Sequence, residues 1–168
     1  MSVEQHKSEG ESLGAISVAL VTVSDTRTPE TDTNGQYLLQ ALAEAKHSIA
    51  LYTIVPDEPE QVLLALDAAL DAGAQVILFN GGTGIAARDT TFETLSGRIE
   101  RPLPGFGELF RMLSYEQVGS AAMLSRATAG VIGRSILFAM PGSHKAVQLA
   151  WEKLIAPELG HLVGQLSQ

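Results

Sequence analysis

Val76-Ile77-Leu78-Phe79-Asn80-Gly81-Gly82-Thr83-Gly84, followed by Arg88-Asp89-Thr90-Thr91, is the stretch that decides the fold. Its apolar, β-branched start reads as a buried strand. It breaks at three glycines within four residues, and glycine lets a backbone turn sharply and approach a ligand closely. Thr90 and Thr91 then open a helix, whose first N–H groups favour an anion. Strand, glycine loop, carboxylate and helix start together point to a site that handles phosphate.

Working outward, strands alternate with amphipathic helices. Ala15–Val23 reads as a strand. Asp32-Thr33 offers a cap for a helix over Gly35–Lys46, with Leu38, Ala41, Leu42 and Ala45 at helical spacing. Ser48–Val55 is a second strand. Pro59 belongs in a helical first turn, and that helix runs to Asp71, with Gly73 just past its end. Beyond the third strand, Glu93–Arg101 reads as a weaker helix stopped by Pro102 and Pro104. Phe106, Leu109, Phe110 and Leu113 mark the next helix, and Gly119–Ser125 a short one over the sheet. Ser135–Met140 is an apolar strand, paired with Thr128–Ile132. Pro141-Gly142-Ser143 turns into a last helix striped by Val147, Ala150, Trp151 and Leu154 and interrupted at Pro157. This pattern predicts a three-layer α/β/α fold around a mostly parallel, doubly wound sheet. Residues 15–168 form one domain, and polar Met1–Gly14 reads as a disordered tail with no signal-peptide centre.

Composition narrows the function. The chain has 168 residues, a net charge of −8 and 45% apolar residues, and a pI near 4.9. Eleven scattered Lys and Arg form no basic stripe, which argues against nucleic acid as a partner. No cysteine is present, so disulfides, thiolate metal sites and a thiol nucleophile are excluded. That fits a cytoplasmic protein, and no apolar run approaches membrane-span length. The apolar content suggests buried subunit contacts.

In doubly wound sheets ligands bind beyond the carboxyl ends of the strands. Those ends deliver Ser24-Asp25-Thr26, Pro56-Asp57-Glu58, the Asn80–Gly84 loop with Asp89 beyond it, and Pro141-Gly142-Ser143. Asp57 and Asp89 are the best carboxylate pair for Mg²⁺, which takes oxygen ligands alongside substrate phosphates. Each could also cap the helix that follows it, a role compatible with holding a ligand. Ser24 and Asp25 could form a turn or touch a phosphate. Arg126 and Lys145 are candidate cations for phosphate, with Ser125 a binding candidate beside Arg126. His144 lies next to the site, and none of the four histidines shows metal-ligand spacing. Gly82-Thr83-Gly84-Ile85-Ala86-Ala87 matches the dinucleotide pattern G-x-G-x-x-A, but it follows the third strand rather than the first, so a dinucleotide site is the weaker alternative.

These motifs, with the run Phe106-Gly107-Glu108-Leu109-Phe110-Arg111-Met112-Leu113-Ser114, resemble the molybdenum cofactor biosynthesis family that contains MoaB and MogA, and its MoaB branch in particular. The resemblance implies a molybdopterin-binding fold in trimers or hexamers. It implies molybdopterin adenylyltransferase activity, with Mg²⁺-ATP and molybdopterin as substrates and other proteins of the pathway as partners. Asp57 and Asp89 would be its catalytic, metal-holding residues. Gly81–Gly84 and Pro141–Ser143 would hold nucleotide or phosphate, beside Thr90 and Thr91, which their place at a helix start makes candidates for the same task. A non-catalytic molybdopterin carrier is the alternative.

Overall fold

β1 (Ser17–Val23) is second from one edge of a six-stranded sheet, in the computed structural model that describes residues 14–168. The expected Met1–Gly14 tail falls outside the described residues apart from Gly14. The sheet order is β2-β1-β3-β6-β5-β4, with β2 spanning Ser48–Val55, β3 Val76–Asn80, β4 Arg101–Pro102, β5 Thr128–Ile132 and β6 Ser135–Met140. The β1–β2, β1–β3 and β3–β6 ladders are parallel, and β6–β5 and β5–β4 antiparallel. The chain leaves β1 toward β2 on one side and returns through β3 on the other. That reversal creates a topological switch point beside the carboxyl end of β1.

The central strands are buried on both faces, and each face has its own core. Val18, Leu20, Leu78 and Phe138 pack under α1 (Thr33–Glu44), α4 (Pro104–Val118), α5 (His144–Ala150) and α6 (Ala156–Ser167). Ala19, Val21, Ile77, Phe79 and Leu137 pack under α2 (Pro59–Asp71) and α3 (Thr91–Ser96). This is the three-layer α/β/α arrangement. Trp151 and Phe110 lie in the first core, as their helical spacing predicts. No described helix is long and apolar enough to cross a membrane.

Local chemistry sets the clearest boundaries. Asp32 caps α1 by accepting from the Gly35 N–H at 3.0 Å. Pro59 opens α2, and Gly73 follows its end at φ +75°.

Three expectations need correction. The helix predicted over Glu93–Arg101 stops at Ser96, and Arg101–Pro102 instead pairs with β5 as an edge strand. Proline suits an edge because it has no N–H to donate. Gly130 makes the pairing possible, since a Cβ there would overlap the Ile99 side chain and sit 2.9 Å from the Arg101 carbonyl oxygen. Second, Gly119–Leu124 is a 3-10 segment that does not cover the sheet; only Ala122 is buried, and Met123 is 75% exposed. Third, Pro157 does not break the last helix. A π turn over Trp151–Ile155 lets the Ala156 N–H donate to the Trp151 carbonyl, and Pro157 falls in the first turn of α6.

Candidate functional site

At the switch point a cavity of about 380 Å³ opens over the carboxyl ends of β1, β3 and β6. Its floor is Asn80-Gly81-Gly82-Thr83-Gly84, and Pro141-Gly142 forms one wall. Gly81 and Gly82 have φ of +105° and +70°, a backbone region that favours glycine. A Cβ at Gly81 would overlap the Val23 carbonyl oxygen, and one at Gly142 would lie 3.3 Å from the Gly81 Cα. The strand ends therefore close together only because these positions lack side chains.

Beneath the floor runs a buried polar chain. Asn80 Nδ2 donates to Thr22 Oγ1 at 3.0 Å, and that hydroxyl donates to Asp32 Oδ2 at 2.7 Å. Tyr52 OH donates to the same oxygen at 2.7 Å; burial and the Asp32 carboxylate hold its phenol well above the usual range. Asn34 Nδ2 donates to Asn80 Oδ1 at 3.0 Å and to the Gly142 carbonyl at 2.8 Å. Its Oδ1 meets His144 Nδ1 at 3.0 Å, which makes that nitrogen the donor. Asp32 and Asn34 are 1% and 5% exposed.

The two predicted carboxylates flank the loop differently. Asp89 lines the cavity, and its Oδ2 accepts from the Ala86 N–H at 3.0 Å. Asp57 is 6% exposed and is not among the lining residues. Its Oδ1 accepts from the Thr90 N–H at 3.2 Å and the Thr90 hydroxyl at 2.8 Å. The helix-cap readings do not hold. Glu58, without a side-chain bond, occupies the cap position of α2, and Thr90 that of α3. Asp57 instead ties the end of β2 to the end of the glycine loop. Among the described residues no three His, Asp or Glu side chains gather to hold a metal.

Of the remaining expected residues, Ser24 lines the cavity, and its Oγ accepts from the Thr26 and Arg27 N–H groups at 3.2 and 3.1 Å. Asp25 is tied down. Arg88 Nε and Nη2 each donate to it at 2.9 Å, and the Asp57 N–H donates at 3.1 Å, so its carboxyl stays below the usual carboxylate range. Arg88 also donates to Glu58 Oε1 at 2.6 Å, which clamps the loops after β1, β2 and β3. Thr91 lies behind Gly82, and its N–H donates to the Gly82 carbonyl at 3.1 Å. Ser143 caps α5 through the Ala146 N–H.

Ser125 and Arg126 line a neighbouring cleft of about 440 Å³ rather than the glycine cavity. Arg126 is committed within the protein: to the Gly84 carbonyl at 2.9 and 2.5 Å, the Asp89 carbonyl at 3.2 Å, the Glu93 carboxylate, and the Phe92 ring. Thr22, Arg27, Asp32 and Asn34 also line the cavity and were not expected there. Asp32 was legible only as a cap. Asn34 carried one signal, the adjacent Gly35, where a Cβ would come within 2.8 Å of the Tyr52 ring. Two buried hydroxyls, Thr83 Oγ1 and Thr91 Oγ1, have no protein partner, and Thr83 is one of the residues lining the cavity.

Residues 19–161 match the family described as MoCF_biosynth, probable molybdopterin binding domain. Molybdenum cofactor biosynthesis protein B of Bacillus subtilis (strain 168) is 49% identical over 168 residues, covering 99% of this chain and 98% of that protein. A crystal structure of Molybdenum cofactor biosynthesis protein B is 50% identical with a TM-score of 0.88, over 91% of this chain and 96% of that one. The tungsten cofactor synthesizing protein MoaB from Pyrococcus furiosus is 36% identical with a TM-score of 0.85, over 94% and 100%.

Proposed function

The chain belongs to the molybdopterin-binding family of MoaB and MogA, on its MoaB branch, and we propose that it is a molybdopterin adenylyltransferase. Its role lies in molybdenum cofactor biosynthesis. In the proposed reaction the terminal phosphate oxygen of molybdopterin attacks the α-phosphorus of ATP. A new P–O bond forms there, the bond to the bridging oxygen breaks, and pyrophosphate leaves. Such a transfer needs positioning and electrostatic stabilisation more than covalent help, which suits a cavity with no thiol and no activated nucleophile beside it.

The observation that carries this reading is the cavity floor. Glycines at 81, 82 and 84 let the backbone itself form the floor, packed close against Val23, Thr91 and Asp89, and the buried Thr83 hydroxyl beside them has no protein partner. A buried hydroxyl left unpaired costs free energy that a phosphate oxygen would recover. The donor set fits Mg²⁺ in its usual partial form, one carboxylate plus substrate phosphates: Asp89 would hold it, and the ion would neutralise charge on the transferring phosphoryl group. Asp57 supports the reading as a positioning residue, through Thr90. Asn34 orients Asn80 and the Pro141–Gly142 wall. We also expect a homo-oligomer.

The test is to incubate the protein with molybdopterin, ATP and Mg²⁺ and look for adenylyl-molybdopterin by mass spectrometry and for pyrophosphate release. Asp89→Asn is expected to lower turnover about 10²-fold or more with little change in stability. Molybdopterin binding without pyrophosphate release would instead support the carrier reading.

A further inference from the structure

Three arginines ring the face on which the cavity opens, and two are already spent. Arg88 is held by Asp25 and Glu58. Arg126 is held by Glu93, two backbone carbonyls and the Phe92 ring. Arg27 differs. Among the described residues its guanidinium makes one hydrogen bond, from Nη1 to the Thr31 carbonyl at 2.5 Å, and no ion pair. It is also the only Lys or Arg among the described residues that line the glycine cavity.

The loop that carries Arg27 is organised before any ligand arrives. Ser24 Oγ takes the Arg27 N–H at 3.1 Å, Thr31 Oγ1 takes the Thr28 N–H at 2.8 Å, and the Gln36 amide donates to the Pro29 and Glu30 carbonyls. The Thr31 contact fixes one nitrogen of the fork and leaves the other donors for something outside the protein. Arginine presents its donors in a planar array that matches phosphate oxygens. Charge sharpens the point. The protein carries −8 overall, and Asp32 and Asp89 line the same cavity, so the long-range field opposes an incoming polyanion. A local cation has to offset that field.

We propose that Arg27 is the anion-binding residue of this cavity and that its guanidinium takes a phosphate group of the ligand opposite the Gly81–Gly84 floor. This rests on the reading that the cavity receives phosphorylated ligands, and it adds a residue that the sequence did not single out. The phosphate is that of a nucleotide or of a pterin-type phosphomonoester; both present the same oxygens to the fork.

The test uses the full-length ¹⁵N-labelled protein. Mg-ATP and, separately, phenyl phosphate are titrated while the Arg27 Nε–Hε cross-peak is followed, assigned by its loss in Arg27→Lys. A saturable shift of that peak is expected. Arg27→Ala should raise the Kd by about 10- to 100-fold, the loss of one or two charge-assisted hydrogen bonds. Arg27→Lys keeps the charge without the fork and should recover part of that loss. Arg134→Ala removes an equal charge at the turn before β6, at the other end of the sheet, and should stay within twofold of wild type. An effect on one ligand alone supports the inference and names the phosphate concerned. Binding by Arg27→Ala within twofold of wild type overturns it while leaving the proposed reaction standing. Failure of the wild type to bind either ligand overturns both.

Discussion

Replacing Gly82 with alanine tests the central geometric claim, that the cavity floor is pressed against the residues behind it. A Cβ at position 82 would overlap Thr91 Oγ1 and Asp57 Oδ2 and lie 3.0 Å from Thr91 Cβ. The backbone there has φ +70°, so the substitution carries two costs. Holding an alanine in the left-handed region costs about 1–2 kcal/mol, and overpacking a tight site typically adds about 1–3 kcal/mol. The sum is roughly 2–5 kcal/mol. Gly73 separates the two, because it has φ +75° with nothing within 4 Å of its ideal Cβ. Gly73→Ala should therefore show the backbone cost alone. Urea unfolding at one fixed protein concentration, followed through the fluorescence of the single, buried Trp151, reads both variants. If Gly82→Ala proves no less stable than Gly73→Ala, Asp57 and Thr91 do not press on the loop and the account of the floor is wrong.

Asn34→Asp would set a carboxylate oxygen against Asn80 Oδ1 and the Gly142 carbonyl, where an amide now donates; the stability loss should be about 2 kcal/mol or more, and an unchanged urea midpoint would refute the network. His47 accepts the Ile16 N–H through Nδ1, and burial holds its imidazole below the ordinary 6.5. Its neutral form is thus favoured by folding, a contribution present above 6.5 and lost as pH falls through the lower folded value. NMR titration should find His47 ionising below 6.5, and His47→Gln should flatten the stability profile across that window; a pKa at or above 6.5 counts against it. Leu109, Met112 and Tyr115 on α4, followed by Met123, are 47%, 57%, 63% and 75% exposed, an apolar surface suited to a subunit contact. Sedimentation should show an oligomer whose mass falls with Met112→Glu, and a wild-type monomer at micromolar concentration would refute the contact.

What the sequence revealed tracks how local the controlling interaction is. Ser48–Val55 and Pro59–Asp71 fall where they were expected, because a proline at the helix start and a glycine after its end act within a turn or two. The glycine loop and Pro141–Ser143 were legible for the same reason. Arg101–Pro102 was not, since its strand character depends on Gly130, far along the chain, leaving room for it. The carboxylates show the same divide. Asp57 and Asp89 could be placed after strand ends from the sequence, but Asp57 finds its partner in Thr90, a choice made by loop packing rather than spacing. Arg126 looked like a candidate cation for phosphate, and Arg27 was not singled out at all. Only the placement of Glu93, Asp25 and Glu58 shows which arginines are already neutralised.

The floor and rim of the cavity are held by different kinds of bond, and the difference bears on how the site works. The floor rests on Tyr52, Asp32, Thr22, Asn80 and Asn34, which join β2, α1, β1 and β3. Most of this chain is buried, where water cannot compete for the bonds and a broken link leaves an unpaired polar group. It sets the strand ends before ligand arrives and makes rearrangement costly. The rim is fastened by Arg88 to Asp25 and Glu58, with side chains roughly half exposed, where ion pairs are screened and contribute little. Such a clamp can open and reclose cheaply. The adenylyl transfer proposed above calls for both properties. For the proposed reaction the floor atoms would be fixed in advance, because reorganising dipoles would forfeit their effect, whereas the clamped loops at the entrance would yield to let the ligand in.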